Sequence, residues 1–166
     1  AINSGGIIEK IDGIPTKEPA FGLPAIWIDP SDRDNAKAIG YTVVDGATAV
    51  ATHLNKILKD NSAELLSHNE TQQILDRFKE KSPKLIEDLI PNKLSVSDIT
   101  KVFKNLLKDS ISLKDMRTIL ETLSDASSKT KDPDELTSIV RPKLGRLIVQ
   151  ELIDVNDTLP VMTLDP

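Results

Sequence analysis

The chain has 166 residues, 39% of them hydrophobic, 28% charged and only 3% aromatic. That is room for one ordinary domain or two small subdomains, with a core built from Leu, Ile and Val as helices packed on helices allow. The absence of cysteine excludes disulfides, thiol nucleophiles and thiolate metal sites. A net charge of −5, with 21 basic residues scattered among 26 acidic ones, argues against nucleic acid or an anionic membrane surface as partner.

No apolar run approaches the ~20 residues that span a bilayer. The N-terminus lacks the basic region and apolar segment of a secretory signal. Starting at Ala1 and closing on Asp165-Pro166, the chain reads as a section of something longer.

Residues 1–22 are rich in turn chemistry, with Gly5, Gly6, Gly13, Pro15, Pro19 and Gly22. Glycine permits positive φ and proline stops helices, so loop or edge strand is expected, with Ile7, Ile8 and Ile11 as a short strand or turn. Leu23 to Ile28 reads as a buried strand. Asp29 caps a helix begun by Pro30, and Gly40 ends it. Tyr41 to Val44 is β-branched and aromatic, so a second strand follows and the region reads as a βαβ unit.

After Asp45 the pattern turns helical. Ala47 to Leu66 contains neither Gly nor Pro and is long enough for ~30 Å of helix. Further helices open at Asn69 with Gln72, Ser82 with Pro83, Ser95 with Asp98, Ser112 with Asp115, and Asp132 with Pro133 and Glu135. Ile99, Val102, Phe103, Leu106 and Leu107 form one apolar stripe, expected to face a second made of Leu113, Met116, Ile119, Leu120 and Leu123. Pro142 predicts a kink or break near Val140. Val161 and Leu164 read as a final strand.

Catalytic chemistry is missing. His53 and His68 have no metal-site spacing and no triad partners, no Ser lies in Gly-x-Ser-x-Gly, and Gly5-Gly6 lacks the rest of a phosphate loop. Neither an enzyme, a metal nor a cofactor is expected. The helices at 98–108 and 113–123 imitate a helix-turn-helix. However, Lys114, Asp115, Arg117 and Glu121 give the second a mixed face, so a DNA-binding regulator is the weaker alternative to a helical protein–protein interaction module. Phe21, a large aromatic in a Pro/Gly-bounded loop, either plugs the edge of the small α/β piece or waits for a partner.

Several dispersed blocks occur in one order: Lys17-Glu18-Pro19-Ala20-Phe21-Gly22-Leu23, Gly40 to Asp45, Ala51-Thr52-His53-Leu54, Pro83-Lys84-Leu85, Asn105-Leu106-Leu107 and Ile111 to Leu123. Together they resemble the cytosolic domain of the FlhA/InvA/LcrD export-gate family of bacterial type III secretion, and Glu-Pro-Ala-Phe has its flagellar form. The resemblance implies an α+β fold: a small inserted α/β subdomain at 1–45 and a long helix at 46–65 belonging to the first subdomain. A helical subdomain at 66–145 and the start of a truncated further subdomain at 146–166 complete it.

It further implies a protein at the cytoplasmic face of the bacterial inner membrane, reached through an N-terminal membrane region. Its partners would be flagellar export chaperone–substrate complexes, other export-apparatus components and copies of itself in a nine-membered ring, with this fragment alone monomeric. Glu18, Phe21 and Thr52 match the positions that line the family's chaperone-binding depression.

Overall fold

The structure, a computed structural model, describes residues 1–3, 5 and 11–152. The chain divides into two compact units, Ala1–Asp60 and Asn61–Pro166. The class is α+β, as expected from the sequence, with one small sheet and a series of helices among the described residues.

The first unit is built on an antiparallel hairpin, β1 (Ile14–Lys17) and β2 (Pro24–Trp27), in register from Ile14 opposite Trp27 to Lys17 opposite Pro24. Gly13 enters the hairpin with φ +156°, and a Cβ there would lie 2.2 Å from the Trp27 carbonyl oxygen, so only glycine allows the two backbones so close. Asp29 accepts a hydrogen bond from the Ser31 amide and starts a 3-10 turn, Pro30–Asp32, that runs into α1 (Arg33–Ala38). Beyond α1 the chain turns at Gly40, whose φ is +99°. The Gly40 amide donates to Lys37 O and the Tyr41 amide to Ala36 O, the paired bonds of a Schellman ending, with Ala36 and Tyr41 both buried beside it.

The expected βαβ unit takes a modified form. Tyr41 to Val44 does not make a full strand; only Thr42 pairs, and its partner is Ile2 rather than β2. Ile2 also bridges Ala25, antiparallel in both cases, so β2 and Thr42 run the same way on either side of it. The crossover through α1 is thus split by a segment from the start of the sequence. Ile2 and Thr42 exchange amide-to-carbonyl bonds of 2.8 and 3.0 Å, which fixes that slot. The expectation for Ile7 and Ile8 falls outside the described residues, and Ile11 belongs to neither strand.

Asp45 caps α2 (Gly46–Asp60), its carboxylate accepting from the Thr48 amide at 2.7 Å. The single helix expected over 47–66 is interrupted: α2 stops at Asp60, and α3 (Ser62–Leu65) follows after Asn61. Asn61 is a poor helix former whose side chain competes for local backbone groups.

The second unit continues with α4 (His68–Lys81), α5 (Pro83–Leu89), α6 (Val96–Lys108), α7 (Met116–Ala126), α8 (Pro133–Lys143) and α9 (Gly145–Leu152). Ser95 and Asp98 make the expected reciprocal capping box of α6, and Asp132 accepts from the amides of Asp134 and Glu135 to start α8. Two starts differ. α4 is opened by a box between Ser67 and Glu70, upstream of Asn69, and α7 begins after Asp115, which accepts from the Thr118 amide.

Ile99, Val102, Phe103, Leu106, Ile119, Leu120 and Leu123 are fully buried in one cluster, with Leu107, Leu113 and Met116 packed at its margin. The two stripes meet through a third helix: α8 lies against both α6 and α7, inserting Leu136 and Val140. The expected break near Val140 is also displaced. Pro142 sits inside α8 in its last turn, and the helix yields only at Leu144. So near the C-terminus, the proline deprives only the Ser138 carbonyl of its regular donor. The expected strand around Val161 and Leu164 lies outside the described residues.

A candidate docking depression

Within the first unit, the loop that closes the hairpin runs from Glu18 to Leu23. The Glu18 amide donates to Leu23 O at 2.8 Å, and the Gly22 amide returns a bond to Glu18 O at 2.9 Å. Gly22 has φ +71°, so the chain reverses through the left-handed region where glycine is favoured. Inside this turn the Glu18 carboxylate is folded back. One oxygen accepts from the Ala20 amide at 2.8 Å and the other from the Phe21 amide at 2.7 Å. Glu18 is consequently only 6% exposed, whereas Phe21 projects its ring and is 68% exposed.

Glu18, Phe21 and Thr52, separated by up to 34 positions in sequence (52 − 18), line one depression of about 210 Å³. Leu23, Thr42, Val44, Ala49 and Ile2 complete its wall. Thr52 reaches it from α2, with its hydroxyl donating to the Thr48 carbonyl at 2.9 Å. The apolar side chains thus dominate a surface whose carboxylate and hydroxyl already have intramolecular partners. Such a surface favours an apolar anchor over a charged one, because a charge buried against mostly apolar side chains loses its hydration.

Asp45, which starts α2 below the depression's Ala49 and Thr52, has its carboxyl held below the usual range by hydrogen bonds from the Thr48 backbone and hydroxyl. Ile2, Thr42 and Val44 were not singled out from the sequence as site residues. No local pattern marks Ile2, since its place in the wall follows from long-range pairing with Ala25 and Thr42. His53 lies half-buried on α2 and His68 is the exposed first residue of α4. Among the described residues no cluster of His, Cys, Asp or Glu could hold a metal ion.

The export-gate resemblance holds over the whole sequence. The FHIPEP family model matches residues 1–166. The chain belongs to the FHIPEP family.

Among its FHIPEP relatives, the flagellar biosynthesis protein FlhA of Escherichia coli (strain K12) is 45% identical over 165 residues, which are 99% of this chain and 24% of that protein. The protein of the same name from Bacillus subtilis (strain 168) is 44% identical over 155 residues, 93% of this chain and 23% of its own length. The chain therefore spans about a quarter of these relatives. Among solved structures, the Chlamydia pneumoniae CdsV protein superposes with a TM-score of 0.72 at 27% identity, over 81% of this chain and 39% of that one. Nonameric EPEC SctV-C gives 0.66 at 25% identity, over 89% of this chain and 45% of its own. Among the described residues no helix is long and apolar enough to cross a membrane.

Proposed function

We propose that this FHIPEP chain is part of the cytosolic portion of a flagellar type III export gate, at the cytoplasmic face of the inner membrane, and that its depression docks export chaperone–substrate complexes. The observation that carries the proposal is the meeting of Glu18, Phe21 and Thr52 in one largely apolar wall. An exposed aromatic over a small apolar depression suits a partner that inserts a hydrophobic side chain, with Phe21 as the anchor of the contact. The role is binding, with no catalytic step, metal or cofactor.

The larger assembly is part of the same proposal. Residues 1–45 form the inserted α/β subdomain, 46–65 the α2–α3 stretch of the first subdomain, 66–145 the helical subdomain and 146–166 the start of the next. Copies of the complete protein form a nine-membered ring and meet other export-apparatus components; the nonameric state of the related SctV-C supports this.

Calorimetric titration with a flagellar chaperone–substrate complex tests the docking role. Phe21→Ala should weaken binding about thirtyfold, from ~2 kcal/mol for an aromatic anchor. The melting curve of the variant should stay close to wild type, because the ring is largely exposed. Unchanged affinity, or binding lost only in step with unfolding, would remove the proposal.

A further inference from the structure

We propose that Glu18 is a positioning residue for Phe21, acting through the loop backbone. The proposal rests on the docking role for its effect on affinity, but its structural half stands on the loop itself.

Glu18 ties the turn at both its backbone and its side chain. Its amide and carbonyl bond Leu23 and Gly22 across the loop, and its two carboxylate oxygens take the Ala20 and Phe21 amides. Hydrogen bonds to an ionised acceptor are stronger than neutral ones, and the Ala20 amide makes a buried bond, where a lost partner is costly. Phe21, by contrast, has little packing of its own to fix it, being largely exposed. Its placement over the depression is inherited from the backbone that Glu18 clasps.

Ordering a loop at the moment of docking would cost affinity; a loop already ordered does not incur that loss. Glu18 is therefore expected to set how tightly Phe21 binds. Aspartate, which accepts from amides two and three residues ahead in many turns, should do the same work.

Two measurements on the full chain separate positioning from contact. In the first, amide hydrogen exchange is followed by NMR with no partner present. Glu18→Ala should speed exchange at Ala20 and Phe21 about tenfold or more, from the loss of a charge-assisted bond to each amide. The Ile26 amide, bonded to Ala1 O in the sheet, reports whether the unit is still folded. Glu18→Asp should restore protection, and Glu18→Gln, with one acceptor oxygen in place of two, should restore part of it and serves where the alanine variant unfolds. Unchanged exchange at Ala20 and Phe21 in the folded variants overturns the proposal.

The second is a double-mutant cycle in titration with the chaperone–substrate complex. Glu18→Ala should weaken binding in the wild-type background, yet change it less than about twofold when Phe21 is already alanine, because coupled residues are non-additive. Full additivity would make Glu18 an independent contact and sink the positioning role. If Phe21→Ala leaves affinity unchanged, the docking role fails, while the exchange result still decides what Glu18 does in the loop.

Discussion

The Lys56 ammonium stands 6.0 Å from the centre of the Phe21 ring and is held there by Asp60, whose carboxylate it meets at 2.8 Å. Both contacts are solvent-exposed, and the ring lies at the outer limit of cation–π attraction. Lys56→Ala should therefore change the unfolding free energy by less than about 1 kcal/mol. Urea denaturation at low and high salt checks this; a larger loss would mean that Lys56 braces the loop rather than edging it.

Phe103 is the largest fully buried side chain of the second unit. Phe103→Ala removes the ring and leaves a cavity between helices with little freedom to collapse, at a cost of about 3–5 kcal/mol. Against a typical total of about 5–15 kcal/mol, the loss should appear as a clear fall in melting temperature. A melt superimposable on wild type would show that α6 is not a core helix.

The α6 capping box carries an acid dependence with a definite sign. The hydrogen bond from the Ser95 hydroxyl, foremost, holds the Asp98 carboxyl below its usual range. Its folded value thus lies below its unfolded one, so the stabilisation is complete above the ordinary aspartate range and disappears as the pH falls through the depressed value. Ser95→Ala should cost about 1 kcal/mol at pH 7. It should also flatten the loss of stability on acidification relative to wild type. Urea midpoints between neutral and strongly acid pH, compared for the two proteins, test both; parallel curves would remove Asp98 as a source of the slope.

Gly13 and Gly22 both have positive φ, yet they should respond differently to alanine. At Gly22 the new Cβ meets nothing, so the cost is confined to left-handed backbone, about 1–2 kcal/mol. At Gly13 it also runs into the Trp27 carbonyl and the Ile26 side chain. Gly13→Ala should therefore be the more destabilising, visible in Trp27 fluorescence during denaturation. Equal effects of the two substitutions would contradict the close approach of the hairpin strands.

Alone, the 166-residue chain should be monomeric at micromolar concentration. A ring needs two different surfaces that meet around a closing axis, and about three quarters of the related proteins lies beyond this chain (100% − 24%). Light scattering that reports a stable higher oligomer would show that the present residues contain a sufficient interface.

Local chemistry made the helical unit largely legible. The Ser95–Asp98 box, the Asp132 start and the stripe through Phe103 each depend on residues within a few positions of one another. Where two caps compete, spacing alone does not choose: Ser67 with Glu70 and Asn69 with Gln72 fit the same pattern, and the structure uses the first. The place of α8 between the stripes was not legible, because it is joined to both only by tertiary packing. In the candidate depression, family resemblance alone singles out Glu18, Phe21 and Thr52, while Ile2 and Thr42 depend on strand pairing that no window of sequence contains.

Ile2 joins two distant parts of the small unit. It must find Ala25 and Thr42 before the sheet is complete, and it is itself part of the depression's wall. Closing such distant contacts is entropically costly and late in assembly. A hairpin that had formed by itself would carry Phe21 on a loop but have no depression beside it. The depression thus reports the completed unit, so that a partner binding there would select finished molecules and, by binding only those, would hold them folded.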